Sequence, residues 1–200
     1  MGQIYAISGC SGVGKTTFLN NLFSSSQEKL RLLNRTTSRD LRPYEKEGVD
    51  YHFLPKKGFL QKIFANDFVH IEEYENSYFG IEARFIEETI KSNEDGIIMA
   101  GVFGASKLKA VYGGNVSVLF MHSGTRSSVL DPRTLEDNFE PNTELRRRLE
   151  LKYKNRLFNT TEINQTDIDT FVNRRMELNY LELAFVNGRI RSGEQITILE

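Results

Sequence analysis

This sequence predicts an α/β fold, a parallel sheet covered by helices on both faces, and three of its features predict it. The first is Gly9-Cys10-Ser11-Gly12-Val13-Gly14-Lys15-Thr16, which has the form G-x-x-x-x-G-K-[ST]. The second is its flanks: Gln3 to Ser8, with Ile4, Tyr5, Ala6 and Ile7, reads as a short buried strand, and Phe18, Leu19, Leu22 and Phe23 mark an amphipathic helix leaving the glycines. The third is a later alternation of strand-like and helix-like segments, the mark of right-handed crossover units.

Strand, glycine loop and helix together make an anion site, because successive backbone N–H groups and the positive helix end converge on one concavity. Lys15 is placed to reach the β- and γ-phosphates of a nucleoside triphosphate, and Thr16 to offer its hydroxyl to Mg²⁺. Gly9, Gly12 and Gly14 supply dihedrals or close approach that a Cβ would obstruct. A glycine turn that only caps a helix has no use for Lys-Thr at this spacing.

The chain has 200 residues, 39% hydrophobic and 26% charged, which suits one globular domain with an attached flap or two. A net charge of -1 argues against a general electrostatic grip on nucleic acid, while leaving room for a local basic cleft. Cys10 is the single cysteine, so no internal disulfide is expected, and a reducing compartment suits it. The N-terminus shows no secretory signal, and the longest apolar run, Ile97 to Ala105, is too short to span a bilayer; a cytoplasmic location with no membrane partner is expected.

In chain order, Leu30 to Leu33 reads as a second strand, and Asn34 to Pro43 as a polar segment with Arg39 and Arg42 three apart. Glu47 to Phe53 reads as a turn and strand, Phe59 to Phe64 as a short helix, and Phe68 to Glu72 as another strand; with Tyr78-Phe79-Gly80 these form a small flap. The main pattern resumes with a helix from Ile81 to Ser92, a strand from Gly96 to Ala100, a helix from Ala105 to Val111 and a strand from Val116 to Met121. Ser123 to Pro141 is polar, a helix begins near Asn142, Thr160 to Asn164 is a candidate strand, and Asp167 to Val186 reads as the last helix. Gly188 onward carries turn signals at Ser192-Gly193 and a strand-like end, Ile196 to Leu199.

The loop, the segment Thr36 to Pro43, Glu47-Gly48-Val49-Asp50-Tyr51-His52-Phe53 and Tyr78-Phe79-Gly80 resemble guanylate kinase in order and spacing, closely from the N-terminus to about Phe120. The resemblance implies a P-loop three-layer sandwich with a parallel sheet, a small inserted acceptor-binding domain and a lid. In this sequence the core would be 1–34, 81–122 and 142–187, the insert 35–80, the lid 123–141 and a tail 188–200. It implies transfer of the ATP γ-phosphoryl group, with Mg²⁺, to a small phosphate-bearing acceptor, GMP or a related nucleoside monophosphate by family default. Two alternatives stand beside it: a non-nucleotide acceptor such as ribose 1,5-bisphosphate, and a catalytically idle module that binds a protein.

Carried over residue by residue, ATP would rest on Gly9, Ser11, Gly12, Val13, Gly14, Lys15, Thr16 and Thr17, with Arg126 in the lid and Asn164 near adenine. Arg39, Arg42 and Tyr51 fall on the clamp for the acceptor phosphate. Arg133 falls in the lid and Arg148, or its neighbour Arg147, on the following helix; with Lys15 and Arg39, Arg133 and Arg148 would be the catalytic charges. A second alignment puts Arg148 and Lys152 in the lid and Arg175 on the helix, leaving few residues for a strand before Asn187.

This chain also departs from the family. His70 stands where a glutamate would read guanine, Arg35 and Ile81 where small hydroxyl residues would, and Phe79 in place of a second clamping tyrosine. Met99 and Gly101 replace an acidic pair, the first of which would help hold magnesium-bound water. His70, His52 and His122 read as satisfied surface histidines, and Glu72, Glu73 and Glu75 as a solvated strand face from which one carboxylate approaches the acceptor. Asp40 is expected to orient Arg39, and no Cys or His cluster has metal-ligand spacing.

Overall fold

The computed structural model describes residues 1–25, 30–121, 147, 149–151, 165–193 and 196–199. They fall into two compact units, Met1–Ser8 with Asn20–Leu119, and Gly9–Leu19 with Phe120–Glu200.

Five strands form one sheet in the order β2–β7–β1–β8–β9, where β1 is Ile4–Gly9, β2 Leu30–Leu33, β7 Asp95–Met99, β8 Val116–Met121 and β9 Ile196–Leu199. β1 and β2 both pair in parallel with β7. Central parallel strands are covered on both faces, and accordingly Ile4, Ala6, Ile7, Ile97 and Ile98 are all buried. β8 buries every second residue, Val116, Val118 and Phe120. α3 (Ala83–Ser92) packs Ile86 and Thr89 inward and ends at Asn93 in the left-handed region, φ 61°. α4 (Val102–Tyr112) follows β7 after a short turn.

The segment between β2 and α3 forms a second sheet in the order β4–β3–β6–β5, with β3 Thr36–Thr37, β4 His52–Phe53, β5 Phe68–Tyr74 and β6 Ser77–Glu82. β5 and β6 make a hairpin whose two loop residues, Glu75 and Asn76, both have positive φ, as a type I′ turn requires. The pairing shifts by one residue between Phe68 and His70, so Val69 is bulged; beyond it His70 faces Ile81 and Glu72 faces Phe79. That register puts all four side chains on one face. Behind the sheet Glu82, 2% exposed, accepts from Thr36 Oγ1 (2.5 Å), Lys62 Nζ (2.8 Å) and Arg84 Nε (2.8 Å). Burial alone would push this carboxyl up, but the bonds from Lys62 and Thr36 outweigh it and hold the group ionised, tying β6 to β3 and to α2 (Lys56–Phe64).

In the second unit α1 (Lys15–Ser25) starts directly from the glycine loop and continues into the first unit; only Leu19 of its expected apolar face is buried, and Phe23 is exposed. α5 (Gln165–Arg191) packs Ile168, Phe171 and Val172 with Leu149. It runs past Gly188, where a stop was expected, because one glycine inside a helix costs only about 1 kcal/mol. The turn comes at Gly193, with φ 92°. A boundary also differs at Ile81, which belongs to β6 rather than to α3, since the Tyr78 to Ile81 run pairs with β5 and buries Ile81, and α4 starts at Val102, three residues before the expected Ala105. No helix of the described residues is long and apolar enough to cross a membrane.

Candidate functional site

The glycine loop belongs to the second unit, and its backbone has the shape the motif demands. Gly9, Gly12 and Gly14 have φ of 139°, 89° and 104°, values that L side chains rarely adopt. At Gly9 a Cβ would also run into the backbone carbonyl of Met121. The Val13 N–H donates to Cys10 O (3.3 Å) and the Phe18 N–H to Gly14 O (2.9 Å), which closes the turn and starts α1. Lys15 Nζ folds back to donate to Gly9 O (2.6 Å) and Cys10 O (2.9 Å), so its charge lies against the loop it serves. Thr16 and Thr17 are exposed in the first turn of α1.

From α5, Asn179 reaches the loop: its Oδ1 accepts the Ser11 N–H at 2.7 Å and its Nδ2 donates to Ser11 O at 3.4 Å. Ser11, which the resemblance places among the ATP-binding residues, thus gives its N–H to Asn179. Arg175, four residues earlier, shares that face of the helix, with its guanidinium 5.5 Å from the Phe171 ring centroid. α5 runs unbroken from Gln165 to Arg191, so Arg175 and Asn187 lie on one helix, and the candidate strand Thr160 to Asn164 lies outside the described residues.

Cys10 is buried, and its thiol is pushed up to about 12, first by burial and then by the negative charge of Glu182, with Lys15 opposing. At pH 8 its thiolate fraction is then about 10⁻⁴, against roughly a quarter for a free cysteine. Iodoacetamide at pH 8 is expected to leave Cys10 unmodified in the native protein and to label it promptly in urea. Prompt native labelling would contradict this burial.

The first unit gathers the residues assigned to the acceptor. Arg39 lies over Tyr51 and Phe53, its Cζ 5.1 and 5.3 Å from their centroids. Glu45, with a side chain 7% exposed, grips Arg39 end-on, taking Nη1 at 2.6 Å and Nη2 at 2.5 Å, and also accepts the Arg42 N–H at 3.1 Å. The second Nη1 hydrogen goes to Asp40 O at 2.9 Å. What remains is the Nε–Nη2 edge, two parallel N–H groups at the spacing of two phosphate oxygens. Burial alone would raise the Glu45 carboxyl, but Arg39 and the Arg42 N–H overcome it and hold it below the usual carboxylate range. The orienting carboxylate is therefore Glu45. Asp40, expected in that role, contributes only its carbonyl.

Arg35 joins the same aromatic cluster. It forms an ion pair with Glu72, approaches Tyr51 OH (Nη2 to oxygen 3.4 Å) and lies over the Tyr51 and Phe79 rings at 5.7 and 5.6 Å. Glu72 is thus ion-paired and only partly exposed, unlike the exposed Glu73 and Glu75, and its Oε2 lies 3.2 Å from where a Cβ on Gly101 would stand. His70 is not a satisfied surface residue either. Its Nε2 is buried without a hydrogen-bond partner, and its Cδ2 lies 3.0 Å from the Cβ position of Gly104 in α4. Burial lowers its pKa, reinforced by Arg35 and Lys107 and opposed by Glu72, so the ring is neutral at neutral pH. Ile81, 2% exposed, faces the same turn of α4. His52 stacks on Phe85 and meets Glu47 at 3.3 Å.

Arg126, Arg133, Arg148, Asn164, His122, Lys152 and the whole 123–141 lid lie outside the described residues. Glu45, Glu82 and Asn179 are the functional or supporting residues that sequence reasoning missed. Only Glu45 left a trace, a carboxylate three residues after Arg42 in an arginine-bearing loop. Among the described residues, no group of His, Cys, Asp and Glu side chains could hold a metal ion by itself.

A family model described as Guanylate kinase matches residues 1–170. The guanylate kinase of Mycoplasma genitalium is 34% identical over 149 residues, covering 74% of this chain and 62% of that protein. That of Mycoplasmoides gallisepticum is 38% identical over 97 residues, 48% of this chain and 50% of that protein. The chain therefore spans between half and two thirds of the length of the curated relatives it matches. Among solved structures, guanylate kinase from Anaplasma phagocytophilum aligns with a TM-score of 0.54 at 17% identity, covering 98% of this chain and 88% of that one, which is a likeness of fold.

Proposed function

Because this chain belongs to the guanylate kinase family, we propose that it moves the γ-phosphoryl group of ATP onto a small phosphomonoester whose phosphate is held by Arg39, Arg42 and Tyr51. The observation that carries the acceptor half is the Arg39 guanidinium, which Glu45 holds by its Nη1–Nη2 end so that the Nε–Nη2 edge is left for a phosphate. The donor half rests on the shaped loop with Lys15 and Thr16. Catalysis of this kind is positioning and charge neutralisation. Backbone N–H groups at the start of α1, from Gly14 to Thr16, cradle the donor phosphates, Lys15 turns from the loop carbonyls to the transferring group, and Arg175 supplies the helix-borne positive charge. Thr16 fits Mg²⁺ bound mainly through ATP phosphates and water, and the ion would supply further charge neutralisation. At Met99 and Gly101 no carboxylate assists, and in the first unit Glu72 Oε2 lies 3.2 Å from the Cβ position of Gly101.

Guanine is a poor fit for this acceptor site. Its Watson–Crick edge offers N–H donors, whereas His70 turns its Nε2 toward α4, Ile81 has no acceptor and Glu72 gives one oxygen to Arg35. Each buried polar group left unpaired costs about 1–3 kcal/mol. Two such losses give about 10²–10⁴ in kcat/KM if they add. Arg35, an additional guanidinium on the Tyr51 ring, favours as second reading a non-nucleotide acceptor with another anionic group, such as ribose 1,5-bisphosphate. The test is kcat/KM for GMP, AMP, dTMP and ribose 1,5-bisphosphate under one set of conditions. GMP is expected to trail the best acceptor; a GMP preference of about a hundredfold or more would restore the plain guanylate kinase reading.

A further inference from the structure

We propose that Asn179 is a positioning residue for the phosphate loop, and this rests on the reading that the loop binds nucleotide phosphates. Its side chain, 5% exposed, pairs with both faces of one residue's backbone, accepting the Ser11 N–H at 2.7 Å and donating to Ser11 O at 3.4 Å. Its own backbone carbonyl accepts from the Cys10 thiol at 3.7 Å. Two consecutive loop residues are thus docked on one residue of α5.

The chemistry of the loop explains what this docking does. A nest of backbone N–H groups binds phosphate well only when its dihedrals are set before the ligand arrives. Three glycines with positive φ make this loop flexible in isolation, so something outside it must choose one conformation. Asn179 does so by holding the Ser11 peptide in one orientation, which sets the course of the loop into the turn from which α1 and its phosphate-facing N–H groups begin. A primary amide suits the task because it carries an acceptor and donors side by side, matching the C=O and N–H of a peptide. The same docking fixes the loop against the helix that carries Arg175, one turn away.

The experiment compares wild type with Asn179→Ala by calorimetry with ADP and by the rate of Cys10 alkylation with iodoacetamide in native buffer. ADP affinity is expected to fall about tenfold or more, and alkylation to quicken about tenfold or more, in a protein that still melts cooperatively. ADP affinity within about twofold of wild type, with melting merely lowered, would make Asn179 a packing residue and overturn the proposal. If Asn179→Ala does not melt cooperatively, Asn179→Asp decides, since it keeps an acceptor for the Ser11 N–H but sets a carboxylate against Ser11 O in place of the amide donor. Cys10 alkylation is then expected to quicken in native buffer, and alkylation as slow as in wild type would overturn the proposal. Should wild type bind no ADP, the phosphate-loop reading fails by itself, and the alkylation rates alone decide whether Asn179 holds the loop.

Discussion

Lys15→Ala is expected to lower phosphoryl transfer by about 10²–10³-fold or more, the usual cost of removing one preorganised charge from a transferring group. The fold survives, because Lys15 contributes little core packing. Its ammonium bonds to Gly9 O and Cys10 O are the structural loss, on the order of 1–3 kcal/mol at most, within the 5–15 kcal/mol that holds typical domains. Turnover and thermal melting of the two proteins check this together. Unaffected turnover would mean that the phosphate loop is not where the reaction occurs.

Arg39→Ala is expected to raise the acceptor KM and lower kcat, together by about ten- to hundredfold, the worth of a charge-assisted phosphate contact, while ATP affinity changes little. Arg39→Lys should rescue only part of the loss, because an ammonium keeps the charge and loses the two-pronged edge. The substitution also leaves the mostly buried Glu45 carboxylate with Arg42 as its remaining basic neighbour. In the native protein Glu45 lies below its ordinary value, so its pairing stabilises the fold at neutral pH, and this is lost as pH falls through the depressed folded value. In Arg39→Ala that acid-dependent component shrinks, and the melting temperature should vary less between neutral and acid pH. Equal weakening of ATP and acceptor binding would put Arg39 on the donor side and overturn its assignment.

The parts of the fold legible in the sequence are those that local pattern determines. Gln3 to Ser8 reads as a buried strand and is found one residue later at Ile4–Gly9, Lys-Thr after the glycines opens a helix, and Val116 to Met121 alternates as a strand where the pattern puts it. What was not legible depends on contacts far apart in sequence. The bulge at Val69 decides which side chains share a face with Glu72, and nothing in Phe68 to Tyr74 announces it. His70 looks like any surface histidine until α4 covers its Nε2. Asn179 meets Ser11 across more than 160 residues, beyond the reach of periodicity or motif. Gly188 misled for the opposite reason: a local stop signal was overridden by a helix packed through Ile168, Phe171 and Val172. The arginines assigned to the lid rest on spacing alone.

The most direct test of the account is transfer of label from γ-labelled ATP, with Mg²⁺ present, to a panel of nucleoside monophosphates and sugar phosphates. Labelled acceptor is expected to form one-for-one with ADP, and to vanish in Lys15→Ala. No labelled acceptor with any member of the panel, together with no measurable ATP binding, would contradict the account and identify the chain as a guanylate-kinase-like module that binds without catalysing.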